Sequence, residues 1–202
     1  MTAKPFGGAD LQRHFRRIWV RERGFKIQDR PQNRFVISFD LKKDKNKVLK
    51  GGTWYFNKAP VILQDYDGLS PLQAIKMETL LFWVKITNIP PALEVKETIM
   101  NVASIVGSLE IDQKLFDITS KIRVHVAHEI TRPFLLKKTL KLAPGVIEEI
   151  SFFFENLIGR CHKCNLIFHE NGTCLVATPH KPDSITAAPP RLDLVSPFTG
   201  FK

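Results

Sequence analysis

Residues 161–174 read Cys-His-Lys-Cys-Asn-Leu-Ile-Phe-His-Glu-Asn-Gly-Thr-Cys. Cys161, Cys164, His169 and Cys174 therefore follow the spacing C-x2-C-x4-H-x4-C. Zinc takes four soft or borderline ligands in a tetrahedron. Two cysteines separated by two residues form a tight turn that presents both sulfurs to one point, and His169 and Cys174 close the other corners. Spacings this short predict a compact unit whose folding depends on the metal. The chain has three cysteines, and all lie in this stretch. An odd, clustered set argues for metal rather than disulfides. Three thiolates and an imidazole leave no open position, so the one zinc ion is expected to be structural rather than catalytic. His162 and His180 fall outside the spacing and are not counted as ligands.

Four residues in or beside the cluster have the chemistry to meet nucleic acid. His162 and Phe168 can stack on unpaired bases, and Arg160 and Lys163 can reach phosphates. Each reads equally well as plain surface. The charge of the chain adds weight to the first reading. Formal net charge is +10 and the pI is near 9.7, which points to a polyanion partner. Residues 1–50 hold 14 Lys and Arg against 5 Asp and Glu, almost the whole excess. A helix is predicted over 10–23, because Leu11, Phe15, Ile18 and Trp19 share one stripe. Arg13, Arg16, Arg17 and Arg21 fall on its other side, as a phosphate-binding row or a solubilising one. The expected partner is single-stranded RNA or DNA, with self-association left open.

These residues need a scaffold, and 202 residues with a 44% hydrophobic fraction can build one. Phe35, Ile37 and Phe39 alternate in a strand. Asp40 can cap a helix over 41–50 that Gly51-Gly52 ends. Strands follow near 53–57, 60–64 and 81–87, with a turn or short helical segment at Ser70-Pro71. Trp83 has the type to stack on a base, although burial is the better reading of its apolar run. Val95, Ile99, Val102, Ala103 and Val106 mark a helix from about 93 to 106, with Gly107 placed to end it. Strands near 109–112 and 121–128 come next, then the alternation of Ile150, Phe152 and Phe154. The fold class expected is α+β, a ferredoxin-like or RRM-like β-α-β-β-α-β domain over 34–127 followed by a small zinc knuckle. The usual aromatic signature of an RNA-recognition motif is missing from Phe82-Trp83-Val84-Lys85-Ile86. The expected organisation is a basic N-terminal helix (1–29), an α+β domain (30–157), the knuckle (158–176) and a Pro-rich flexible tail (177–202).

Several stretches carry a family resemblance. They include Val48-Leu49-Lys50-Gly51-Gly52-Thr53-Trp54-Tyr55-Phe56 and Val61-Ile62-Leu63-Gln64-Asp65-Tyr66-Asp67. Phe82 to Ile86, Ile89-Pro90, Ile105-Val106-Gly107 with Asp112, and Phe154-Glu155-Asn156-Leu157 leading into Cys161 continue the series. On these residues the chain resembles a plant family derived from LINE-type retrotransposons. That family carries a domain of unknown function (number 4283 in its series) followed by a zinc knuckle of this spacing. The resemblance covers roughly 30–175. It implies zinc and nucleic-acid binding in the gag-like part of a mobile element, and no catalysis by this portion. Where the family usually has glycine, this chain has Asn165 and Phe168; asparagine tolerates the left-handed conformation, phenylalanine poorly.

No deaminase signature, phosphate-cradling glycine loop or serine elbow is found, so no enzyme is expected. Asp65, Asp67, Glu110 and Asp112 read as strand-end and turn residues rather than magnesium ligands. No stretch has the roughly 18–20 apolar residues that span a bilayer, and Met1 to Gly8 lacks a signal-peptide core. The expected location is nucleus or cytoplasm, with no membrane partner. Two other readings stay open: a protein–protein adaptor whose knuckle is purely structural, and a decayed element copy.

Overall fold

The computed structural model describes residues 6–19, 23–109, 122–167 and 174. The N-terminal part packs helix α1 (Gly8–Ile18) against the hairpin of β1 (Phe25–Arg30) and β2 (Arg34–Phe39). Left-handed Gln32 and Asn33 close that hairpin. Leu11, Phe15 and Trp19 are buried as their spacing predicts, whereas Ile18 is exposed at the helix end. Phe15 stacks on Trp19, and Trp19 meets Phe25, Phe39 and Trp54. The first amide of α1 donates to Asp29 Oδ1 on β1 at 2.7 Å, tying helix to hairpin. Helix α2 (Lys42–Lys50) and the hairpin of β3 (Trp54–Phe56) and β4 (Ala59–Val61) complete this core through Val48 and Phe56. Asn57 and Lys58, both with positive φ, make the two-residue turn.

The second core belongs to a five-stranded antiparallel sheet. Its strands are β5 (Thr79–Thr87), β6 (Ser108–Leu109), β7 (Arg123–Glu129), β8 (Lys137–Ala143) and β9 (Val146–Phe154), in the spatial order β6-β7-β5-β9-β8. Helix α3 (Lys96–Ala103) packs on one face through Ile99, Val102 and Ala103. That face presents Leu80, Phe82, Val84 and Ile86 of β5, Val124 and Val126 of β7, and Ile150, Phe152 and Phe154 of β9. The alternation visible in the sequence of β5 and β9 is the alternation of the pleat. Both β5 and β6 run antiparallel to β7, so they are parallel to each other with β7 between them. Joined through α3, they form a split β-α-β unit.

The expected β-α-β-β-α-β sheet over 34–127 is corrected by these pairings. Strand β2 pairs with β1 and β3 with β4, and neither hairpin enters the large sheet. The split unit arises instead from β5, α3 and β6, and after β7 the described chain continues into β8 and β9 rather than a second helix. Local closure explains the difference, since short turns let β1–β2 and β3–β4 pair at the lowest loop-entropy cost. Other expectations shift in detail. Leu41, not Asp40, is the N-cap of α2, and no side chain caps it. Wholly buried Asp44 instead accepts the Arg23 backbone N–H at 3.0 Å. Helix α3 is shorter than predicted; Val95 is its exposed N-cap, and Ser104 its C-cap. Gly107 lies beyond the helix end. A Cβ there would sit 2.4 Å from the Ala127 carbonyl oxygen, so glycine lets this segment lie against β7. Arg21, most of the expected 109–112 strand, Phe168, His169 and the 177–202 tail lie outside the described residues.

Candidate metal centre and basic surfaces

The chain leaves β9 through residues that fix its path. Glu155 N–H donates to the Trp83 carbonyl at 2.8 Å, and Ile158 N–H donates to the Tyr55 hydroxyl at 3.1 Å. Left-handed Asn156 and Gly159 turn it toward the cysteines. There, Asn165 N–H donates to Cys161 O at 3.0 Å and Cys161 N–H to Leu166 O at 2.8 Å, closing a tight loop. Asn165 takes φ 60°, a left-handed conformation that asparagine tolerates. Lys163 N–H points at Cys161 Sγ, 3.3 Å away.

Cys161 and Cys164 of this loop lie beside Cys174, the ligand atoms of all three within 4.8 Å of one another. Sulfurs bound tetrahedrally to zinc at about 2.3 Å stand roughly 3.8 Å apart, a separation that lies within the spacing of the trio. All three thiols are free of disulfides. Among the described residues this is the one convergence of three or more Cys, His, Asp or Glu ligands. Desolvation, then the neighbouring Cys161 and Cys174 thiols, push the Cys164 thiol above its ordinary value. A divalent cation among three sulfurs supplies the opposite influence and favours thiolate. His169, the fourth ligand in the spacing, lies outside the described residues.

The cysteine loop is docked on the sheet. Ile167 is buried in the sheet core, and Phe134 N–H donates to Asn165 O at 2.9 Å. Arg160 is half-buried and braces the loop from within, donating to Asn165 Oδ1 and to Cys161 O. A phosphate would have to compete for it. His162 and Lys163 project from the turn and are exposed. On α1, Arg13, Arg16 and Arg17 are exposed, with Arg13 paired to Asp10 at 3.4 Å. The β3–β4 hairpin touches both regions: His14 Nε2 bonds to Tyr55 O at 2.9 Å, while the Tyr55 hydroxyl takes the Ile158 N–H.

Sequence reasoning passed over two further cationic features. Helix α2 exposes Lys42, Lys43, Lys47 and Lys50, a row readable from helical spacing in Lys-Lys-Asp-Lys-Asn-Lys-Val-Leu-Lys. On the sheet, the Arg123 guanidinium lies 3.9 Å over the Trp83 ring and grips Glu155 with two bonds of 2.8 and 2.7 Å. That contact holds the Glu155 carboxyl below its ordinary value. The carboxylates set aside as structural behave so where described. Asp65 pairs with Lys45, and Asp67 accepts Leu69 N–H, Ser70 N–H and the Ser70 hydroxyl, which draws its pKa down to about 2.

His125 stacks on Trp83, with ring centroids 4.7 Å apart, and is 4% exposed. Burial first, then the charges of Arg123 and Lys50, lower its pKa to about 4. The unfolded chain protonates this histidine near its ordinary value of about 6.5, while the native state stays neutral down to about 4. Between those values the unfolded state binds more protons, so this contribution to stability falls as pH falls, by at most about 3 kcal/mol. His125→Phe keeps a ring on Trp83 and removes the titration. Chemical denaturation at pH 7 and pH 4.5 should show a smaller stability loss in the variant. Equal losses in both proteins would contradict this account.

Compared with known families, residues 5–71 match the profile of a domain of unknown function (DUF4283). The match runs from the start of α1 through the β3–β4 hairpin and ends before β5. No curated protein matches the chain, and no solved structure does.

Proposed function

We propose that this protein binds single-stranded nucleic acid, RNA or DNA, and carries one structural zinc on Cys161, Cys164, Cys174 and His169. The observation that carries the zinc reading is the convergence of the three cysteine ligand atoms within 4.8 Å. Arg13, Arg16 and Arg17 on α1 and Lys163 beside the metal would meet phosphates, and His162 and Phe168 would stack on bases. Arg21 and Arg160 belong to the same reading. For Arg160 it requires the guanidinium to leave Asn165 or to share it. The role is binding rather than catalysis, since a fully ligated zinc offers no site to a substrate. The match to residues 5–71, together with the C-x2-C-x4-H-x4-C spacing, supports an origin in the gag-like part of a LINE-type plant retroelement. The split β-α-β unit supports reading the sheet as a variant of the RRM-like arrangement with β8 in place of the second helix. Such a protein would act in the nucleus or cytoplasm, and self-association is compatible with it.

The test is metal analysis of purified protein beside its binding to a labelled single-stranded oligonucleotide, with and without chelator. One zinc per chain and salt-sensitive binding that chelation weakens are the expected results. Zinc without oligonucleotide binding would favour a protein–protein adaptor. The docking of the cysteine loop through Ile167 lends that second reading its support, because it gives the metal a structural task independent of any ligand. Absence of zinc would remove the metal-centre reading and leave a decayed element copy.

A further inference from the structure

We infer that the open half of the sheet face opposite α3, centred on Phe153, is a stacking surface for single-stranded nucleic acid. The inference rests on the nucleic-acid reading above and says where on the chain the strand would lie. One half of this face is closed. Thr53 Oγ1 donates to the Leu81 carbonyl, Gly52 lies against the Trp83 ring, and His125 and Ala127 are buried. The other half is open. Phe153 on β9 is 61% exposed, so its ring is open to solvent. It stands directly across from Lys85 of β5, whose Nζ is 5.7 Å from the ring centroid. Ser151, Glu149 and Ile147 continue the same face of β9, and Lys137, Thr139 and Lys141 of edge strand β8 oppose them in register.

Charge decides the class of occupant. The open half carries Lys85, Arg123, Lys137 and Lys141 against Glu149 and Glu155. Glu155 pairs with Arg123 and Lys85, and Glu149 pairs with Lys137 at 2.8 Å, beside the ring, while Lys141 stands further along the face opposite Ile147, and positive charge is in excess. A protein-docking patch would need contiguous apolar surface. Among the described residues of this face the two exposed large apolar side chains, Phe153 and Ile147, are six residues apart on one strand, about 20 Å. An isolated ring bordered by lysines is instead the arrangement that takes a base on its π-face and the adjoining phosphates on its cations.

The full chain, zinc-loaded, is titrated into fluorescein-labelled oligothymidylate and oligouridylate at several salt concentrations. Phe153→Ala should weaken binding roughly tenfold, and Phe153→Trp should preserve it. Lys141→Gln should lower the slope of log affinity against log salt by about 0.7, the effect of one lost phosphate contact on a single strand. Phe153 and Lys141 are exposed, so folding is expected to survive, and circular dichroism checks it. Should Phe153→Ala unfold, Phe153→Trp and Lys141→Gln carry the decision. Tight binding by the parent chain that neither Phe153→Ala nor Lys141→Gln alters would overturn this inference while leaving the nucleic-acid reading in place. No binding by the parent chain would overturn both.

Discussion

Replacing Cys164 with serine is expected to release the metal and to lower the melting temperature of the sheet, not only of the cysteine loop. Cys161 and Cys174 would remain, but a serine hydroxyl is a poor zinc ligand and leaves an incomplete set. Structural zinc in small knuckles contributes on the order of 10–16 kcal/mol of apparent binding energy at neutral pH, and much of that is folding energy. In an isolated knuckle the loss would stay local. Here Ile167 lies 7% exposed within the sheet core, and the Asn165 carbonyl holds the Phe134 amide. A loop freed from its metal withdraws both contacts. For a chain of this size each kcal/mol lost lowers Tm by about 2–4 °C. Metal analysis after dialysis should fall from about one zinc per chain to none. Chelator should lower the melting temperature of the parent protein and leave that of Cys164→Ser unchanged. Full zinc retention in the variant would show that these sulfurs do not hold the ion.

The proposed centre was legible in the sequence because its signal is local. Four candidate ligands within 14 residues need no knowledge of the rest of the chain, and the three cysteines that the structure describes do converge. Strands β5 and β9 were legible for a similar reason, since burial on one face leaves a period of two. The pairing of strands was not. Which strand β2 joins depends on β1, and Phe25-Lys-Ile-Gln-Asp-Arg buries only Phe25, so its pattern hardly departs from that of a loop. Strand β8 hides behind lysines that an edge strand tolerates and a central one would not. Asp44 and His125 are polar types buried by contacts distant in sequence, one under Arg23 and one against Trp83. Arg160 shows the same limit at the site itself. Its position beside Cys161 suggests a phosphate ligand, and only the fold reveals that its guanidinium reaches Asn165.

The second large effect expected is from Phe134→Ala. Phe134 is 1% exposed and sits where three elements meet. Its ring meets Phe82 and Phe154 edge-on, with centroids 5.4 and 4.9 Å away, and stacks on His128 at 4.1 Å. Truncation leaves a cavity lined by rings that cannot collapse far, since Phe82 and Phe154 belong to adjacent strands and His128 is held by Val106 O and Arg132 O. Buried phenylalanine truncations of this kind cost about 3–5 kcal/mol, a large share of the stability of a typical domain. The same residue offers its backbone N–H to Asn165 within the cysteine loop, so the site and the core share one support. Phe134→Ala should therefore weaken zinc retention under a chelator as well as lower the denaturation midpoint, while Phe134→Leu, which fills most of the volume, should do much less of both. Equilibrium denaturation and competitive chelator titration separate the two effects. If stability falls as expected and zinc affinity does not move, the cysteine loop is an independent unit resting on the sheet. If both fall together, the metal and the core form one cooperative structure, and zinc release becomes a means of loosening the whole sheet.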